Sequence, residues 1–178
     1  MNNSDMKMKE NMCGVYIALG GNLSNQKTRF REALGRLNAS EANIRAVSGL
    51  WKSPSWPPGQ GHPDYLNAVA FLETRLSPFE LLALLQQIEQ DEGRVRTVRN
   101  APRTLDLDII DYDRQIMDTR ELTLPHPRMN NRGFVLFPLA QIAPEWTDPL
   151  NGQHIEEYIS RLPLADVAPM SYQGRFYD

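Results

Sequence analysis

Between positions 104 and 112 the chain reads Thr-Leu-Asp-Leu-Asp-Ile-Ile-Asp-Tyr, and this alternation limits the fold that can hold it. Side chains two apart in a strand share a face, so Leu105, Leu107 and Ile109 point one way and Asp106 and Asp108 the other. The apolar face must be buried. The other face then presents two carboxylates at a fixed spacing. Two unpaired carboxylates repel, and a hard divalent cation removes that cost. Magnesium favours one or two carboxylates together with substrate phosphates, and two metal ions ~3.5–4 Å apart can share such a pair. Upstream lie Arg94, Arg96, Arg99 and Arg103, four arginines in ten residues. Their planar forks suit phosphate oxygens, and metal-holding carboxylates beside arginines describe phosphoryl-type transfer. A solvated face whose aspartates pair with those arginines is equally available, and the spacing alone leaves both readings standing.

The rest of the chain supplies the layers. Positions 15–19 alternate into Gly20-Gly21, a strand ending in a turn. Ser24 or Asn25 caps an expected helix at about 26–37. Strands follow at 44–51 and 65–73, with a Pro/Gly-rich loop at 53–61 between them. Ser77-Pro78-Phe79-Glu80 starts a helix with a capping box and a proline in first position. Leu81, Leu84, Leu85 and Ile88 give that helix its core stripe, and Gly93 stops it. After the strand at 104–112, short strands are expected beyond Asp113-Arg114 and at 122–124. Helices are expected at 132–140 and 154–161, and the tail after Pro163 has little pattern. The order strand, helix, strand, strand, helix, strand indicates an α+β fold, a ferredoxin-like antiparallel sheet with helices packed on its faces.

The 178 residues, 41% of them hydrophobic and 23% charged, suit one domain that folds without staples. We expect a flexible extension at 1–12, a single domain at 13–162 and a tail at 163–178. The extension lacks a signal peptide's apolar core, and no run is long and apolar enough to span a membrane. The single cysteine, Cys13, has no internal partner and fits a reducing compartment. The net charge of −3 argues against bulk nucleic-acid binding. The expectation is a cytoplasmic monomer whose partners are small molecules, with no nucleic acid and no membrane among them.

Two nucleotide motifs fail. Gly20 to Thr28 looks like a phosphate loop, but Gln26 stands where the glycine before the lysine is needed, and no G-x-G-x-x-G exists. Any bound ATP is therefore held by side chains.

The chain resembles the 6-hydroxymethyl-7,8-dihydropterin pyrophosphokinase family of folate biosynthesis. The resemblance rests on Tyr16-Ile17-Ala18-Leu19-Gly20-Gly21-Asn22-Leu23, on Pro63-Asp64-Tyr65-Leu66-Asn67-Ala68 and on Gly93-Arg94-Val95-Arg96. It continues through Pro102-Arg103-Thr104-Leu105-Asp106-Leu107-Asp108, Pro125-His126-Pro127-Arg128 and Asn131-Arg132-Gly133-Phe134-Val135-Leu136. It covers roughly positions 14–159 in one register. It implies transfer of diphosphate from ATP to the pterin hydroxymethyl group, releasing AMP, with two Mg2+ ions on Asp106 and Asp108. Arg94 and Arg103 would act on the phosphates as catalytic residues beside the two aspartates, with Arg96 and Arg99 assisting. Gln86, Glu89, His126 and Arg132 would contact ATP, and Ile109 and Thr123 would line the adenosine site. Ser53, Pro54, Trp56, Tyr65, Asn67, Asp106 and Phe134 would hold the pterin, stacked between aromatic faces with the Asn67 amide matching its edge. The loops 53–61 and 94–103 would close over the site and exclude water.

Taken singly, several of these residues have plainer readings. Gln86 and Glu89 suit an exposed helix face, His126 a packed loop, and Tyr65 and Phe134 a core. The chain also departs from the family pattern. Asn100-Ala101 replaces a loop tryptophan, that loop is one residue shorter, and Pro127 and Glu121 stand where some members carry tyrosine and arginine. Gly21 stands where serine is common. The metal and phosphate groups are untouched. A ferredoxin-like RNA-binding module is disfavoured, because an RNA face wants cations where this strand presents carboxylates. An inactive nucleotide-binding relative is disfavoured by the intact aspartates and arginines. The general base stays unassigned, since a metal-bound Asp108 is a poor one.

Overall fold

The computed structural model describes residues 12–55, 61–93 and 103–177. Trp56, Arg94, Arg96 and Arg99 lie outside the described residues, as does nearly all of the N-terminal extension. The elements run β1 (Cys13–Gly21), α1 (Gln26–Asn38), β2 (Ala42–Val47), β3 (Trp51–Ser53), β4 (Tyr65–Thr74), α2 (Pro78–Asp91), β5 (Asp106–Tyr112), β6 (Met117–Asp118), β7 (Thr123–Leu124), α3 (Gly133–Ile142), α4 (Ile155–Ser160), α5 (Leu164–Val167) and β8 (Ser171–Tyr172), with a 3-10 turn at Met129–Asn131 before α3.

The sheet is ordered β5-β1-β4-β3-β8, and β2 pairs with the other end of β4. Its pairings are antiparallel. Strands β1, β2, β4 and β5 alone give the order β5-β1-β4-β2, which is the ferredoxin-like arrangement expected from the element order. The single strand expected at 44–51 is two. Around Ser48 the backbone leaves the ladder: Val69 N–H donates to Ser48 Oγ at 2.9 Å, Gly49 N–H to Gln141 Oε1 at 2.9 Å and Leu50 N–H to Gly174 O at 2.9 Å. The tail after Pro163 is also built in. It forms α5 and β8, and Phe176 is buried in the main core.

Each sheet face has its own core. Helices α1 and α2 bring Phe30, Leu34, Leu37, Leu81, Leu85 and Ile88 onto Val15, Ile17, Leu19, Leu107 and Ile109. The capping box of α2 forms as expected: Glu80 N–H donates to Ser77 Oγ, and Ser77 N–H to Glu80 Oε2 at 2.7 Å. The second face is covered by α3 and α4, which bring Val135, Leu136, Leu139, Ile155 and Tyr158 onto Val69 and Ile110. That cover is incomplete. Along β5, Ile110 is buried while Asp108 and Asp106 remain half-exposed.

A register shift between Tyr16 and Ile17 interrupts the β1–β5 ladder, so Ile17 faces Ile109 and Tyr16 faces Asp111. Ile110 is the extra residue of a bulge, which resets the alternation. Ile110 and Asp111 therefore both serve the second face, and Tyr112 turns into the first core, where its hydroxyl donates to Leu76 O. Asp111 accepts from Trp146 Nε1–H at 2.7 Å and from Arg114 N–H at 2.9 Å. Burial raises its pKa, opposed by those two donors.

Asp111→Ala strips a buried indole N–H and a backbone N–H of their acceptor. Stability in urea is expected to fall by about 1–3 kcal/mol, with loss of the near-ultraviolet signal of Trp146. A carboxyl group whose folded pKa is raised binds its proton more tightly in the folded state. Its contribution is therefore greatest below the unfolded carboxylate pKa and declines as pH rises through the folded value. The variant should lack that declining component, as urea curves across the carboxylate range would show.

Candidate functional site

The open half of the second face is built around one row of residues across three strands. Register places Asp106 of β5 beside Gly20 of β1, and Gly20 beside Asn67 of β4. A Cβ on Gly20 would stand 3.7 Å from Asn67 Oδ1 and 3.8 Å from Asp106 Cβ. The glycine thus leaves a cradle in the floor between an amide and a carboxylate. One row further in, Asp108 lies beside Ala18.

Strand β5 is an edge of the sheet, and edges need partners for their outward backbone groups. The Glu89 carboxylate of α2 accepts from Leu107 N–H at 2.7 Å, and His126 N–H donates to Ile110 O at 2.8 Å. These two bonds fix the strand that carries the aspartates.

Three cationic or titratable side chains surround the pair. Arg103 Nη1 donates to Asp106 Oδ2 at 2.5 Å. Burial works to lower the Arg103 pKa, but Asp106, with Tyr65 and Asp108, outweighs it and the net direction is up. His126 Nε2 lies 3.9 Å from Asp108 Oδ2. Arg128 N–H donates to His126 Nδ1 at 3.1 Å, so a neutral ring carries its proton on Nε2, the atom facing Asp108. Burial lowers the His126 pKa, Asp108 raises it, and Arg132 and Arg128 lower it further, leaving it below the ordinary value. Arg132 is lowered by burial and Arg128 but keeps its charge, as an arginine does. Its guanidinium stands 5.5 Å from the centre of the Phe134 ring.

On the other side of the cradle, Asn67 is only 4% exposed. Its Nδ2 donates to Trp51 O at 3.1 Å and to Ser53 Oγ at 3.0 Å. Both amide protons are thereby committed to β3, and Oδ1 is left facing the cradle as an acceptor. Tyr65 lies opposite Ser53 in the ladder, and exposed Pro54 follows Ser53.

The structure thus brings together Arg103, Asp106, Asp108, His126 and Arg132 on one side, and Ser53, Asn67 and Tyr65 on the other. Phe134 stands at the second position of α3, half-buried beside Arg132. The remaining sequence candidates take the following places. Ile109 is part of the first core. Glu89 is 2% exposed and holds a strand, which no exposed helix face would do. Gln86 is half-buried one turn before it. Thr123 sits in the β6–β7 hairpin, within 3.5 Å of Asp118 Oδ1.

Three contributors escaped the sequence reading. Gly20 carried only a turn signal, because its neighbours are set by non-local register. Asn22 was given no role of its own. It is buried, donates from Nδ2 to Pro63 O at 3.1 Å and accepts Arg103 N–H at 2.8 Å, while Arg103 O accepts its own N–H at 3.0 Å. Trp51 contributes a backbone carbonyl, which no side-chain pattern reveals. Next to Gly20, a Cβ on Gly21 would approach Thr104 O to 2.9 Å.

Residues 16–144 match the family model for 7,8-dihydro-6-hydroxymethylpterin-pyrophosphokinase (HPPK). The 2-amino-4-hydroxy-6-hydroxymethyldihydropteridine pyrophosphokinase of Pseudomonas aeruginosa is 41% identical over 154 residues, 86% of this chain and 94% of the relative. The protein of that name from Haemophilus influenzae is 44% identical over 151 residues, 84% of this chain and 93% of the relative. Among solved structures, a wild-type HPPK-DHPS of Plasmodium falciparum with pterin and p-hydroxybenzoate superposes with a TM-score of 0.67 at 12% identity, which is a likeness of fold. The superposition covers 90% of this chain and 46% of that one, so this chain spans just under half of it.

Glu89→Ala leaves a buried Leu107 N–H without its acceptor and is expected to lower stability by about 1–3 kcal/mol. Glu89→Gln keeps an oxygen there and should lose clearly less. Thermal unfolding of the two variants measures the difference, and equal losses would show that the bond to Leu107 does not hold the strand.

Proposed function

The chain belongs to the 7,8-dihydro-6-hydroxymethylpterin-pyrophosphokinase family, and from that premise we propose that it transfers diphosphate from ATP to the hydroxyl of 6-hydroxymethyl-7,8-dihydropterin at the cradle between Asp106 and Asn67. One observation carries this reading: across Gly20, an amide acceptor and a carboxylate face the same open stretch of sheet.

The amide arm serves the pterin. With both Nδ2 protons tied to β3, Asn67 Oδ1 can only accept, and it would accept an N–H from the heterocycle's edge. Phe134 and Tyr65 would supply ring surfaces for the heterocycle to stack on. Such a fixed acceptor discriminates well, because a ring lacking the matching donor leaves the amide unpaired.

The carboxylate arm serves the phosphates. Asp106 and Asp108 fit magnesium by their chemistry: two hard oxygen donor groups on one face, beside space for substrate oxygens. Among the described residues no group of three or more His, Cys, Asp or Glu gathers into an all-protein cage, and magnesium seldom uses one. Magnesium ions there would neutralise phosphate charge and ease loss of the pterin hydroxyl proton. Arg103 directs one N–H at Asp106 and has further donors for ATP oxygens. Arg132 and His126 Nε2–H lie on the same side and supply charge and a donor. The hydroxyl oxygen forms a bond to the β-phosphorus, its proton is released to solvent, the bond from that phosphorus to the α–β bridging oxygen breaks, and AMP leaves. We place this reaction in the cytoplasm with the enzyme acting as a monomer. The single cysteine fits a reducing compartment and supports the cytoplasm. Among the described residues no helix is long and apolar enough to cross a membrane.

The test is a product assay with ATP, magnesium and 6-hydroxymethyl-7,8-dihydropterin. AMP is expected only when all three are present. A chelator should stop its formation, and excess magnesium should restore it. Asp106→Ala should lower turnover by roughly 1000-fold or more while the melting temperature stays close to wild type, because Asp106 is half-exposed. An active Asp106→Ala enzyme, or ADP in place of AMP, would sink the mechanism.

A further inference from the structure

The amide of Asn67 takes its orientation from β3, which pairs with β4 only through Trp51, Lys52 and Ser53. So short a strand is weakly held by its own ladder. Its other edge is occupied by the C-terminal strand β8, in the register Trp51 to Tyr172 and Lys52 to Ser171. Gln173 N–H donates to Leu50 O at 2.8 Å, Leu50 N–H donates to Gly174 O at 2.9 Å, and Phe176 anchors the segment in the core. The approach is close enough to demand glycine at position 49, where a Cβ would meet Tyr172 Cε2 at 2.3 Å and Gly174 O at 2.9 Å.

The Trp51 indole is wedged between this segment and α3. Its ring stacks on Phe137 with centroids 5.2 Å apart, and Tyr172 meets it edge-on at 5.5 Å. Trp51 Nε1–H donates to Gln141 Oε1 at 3.3 Å. The carbonyl of the same residue accepts from Asn67 Nδ2. We propose that Tyr172 is a positioning residue for pterin binding: it holds Trp51, and through Trp51 the orientation of the Asn67 amide. The inference rests on the pterin reading of the Asn67 site. It extends the site to a residue beyond those that match the family model, which end at position 144.

The physical argument is one of tolerance. An aromatic edge contact contributes little against the stability of a domain. A hydrogen bond from the Asn67 amide to a carbonyl on a three-residue strand is sensitive to displacements well below 1 Å, because its strength falls steeply with angle. Loss of the Tyr172 ring therefore acts on the binding of the group that Asn67 faces more than on folding. Tyr172 is 46% exposed, so its removal opens no core. The ATP side, on β5, is separated from β3 by β1 and β4 and should be little affected.

Steady-state kinetics of AMP formation by the full chain decide the matter. Tyr172→Ala is expected to raise KM for 6-hydroxymethyl-7,8-dihydropterin about tenfold, with KM for ATP within about twofold of wild type. Tyr172→Phe, which keeps the ring, should restore the wild-type value. Gln141→Ala loosens Trp51 from its other side and should give the same pterin-selective rise, even if Tyr172→Ala folds poorly. In an Asn67→Ala background, Tyr172→Ala should add no more than about twofold, because the group it positions is gone. An unchanged pterin KM, equal rises for both substrates, or full additivity with Asn67→Ala would overturn the proposal while leaving the diphosphate-transfer reading intact. A wild-type enzyme that forms no AMP from this pterin would overturn both.

Discussion

The structure depends on a sheet with two faces of which only one is fully covered. Helices α1 and α2 bury the first face along its length, and α3 with α4 bury the second only as far as Ile110. The candidate site lies where that cover stops. A ferredoxin-like sheet can tolerate such a gap because its backbone bonds are made within the ladder, and the exposed side chains are polar. The edge strand beside the gap is the weak point. It is secured by a carboxylate from α2 on one side and by the His126 backbone on the other. Glu89 therefore links the core that stabilises the protein to the strand that carries its carboxylates.

The charge arrangement suits the proposed entry of ATP phosphates. Two neighbouring carboxylates repel a triphosphate, so alone they would exclude it. Arg103 against Asp106, with Arg132 and His126 behind, offsets that repulsion and supplies donors of the right shape. Burial lowers the His126 pKa and favours its neutral form, whose Nε2–H remains a donor toward Asp108. The site thus needs no protonated histidine to keep a donor there. Its fixed positive charge comes from arginines, which burial at this level does not discharge.

Local patterns were legible and long-range ones were not. The Ser77–Glu80 box, the stripe of α2 and the alternation of β5 are specified by neighbours in sequence, and the structure contains all three. So are the two aspartates and the arginine beside them. The break in 44–51, the bulge at Ile110 and the strand at Ser171–Tyr172 depend on partners far along the chain. Ser48 interrupts its strand because its hydroxyl replaces a carbonyl for Val69 N–H, a choice no propensity records. Gly20 shows the limit most clearly. Its place in a turn was visible, but its role comes from standing between Asp106 and Asn67, two residues brought there by separate ladders.

The same reasoning explains why the two halves of the site differ in how they are held. The carboxylate half sits on a seven-residue strand locked at several points, and its alternation announces itself. The amide half depends on a three-residue strand whose outer edge is filled by the far end of the chain. A segment that looked patternless in sequence, after Pro163, has no need of a strong intrinsic pattern, because a short strand is stabilised almost wholly by the edge it joins. Its apolar anchors, Tyr172 and Phe176, are single residues, too few to form a period. Such anchors are invisible to periodicity and plain in a contact map. The half of the site that offers the amide is therefore the half whose supports sequence reasoning is least equipped to find.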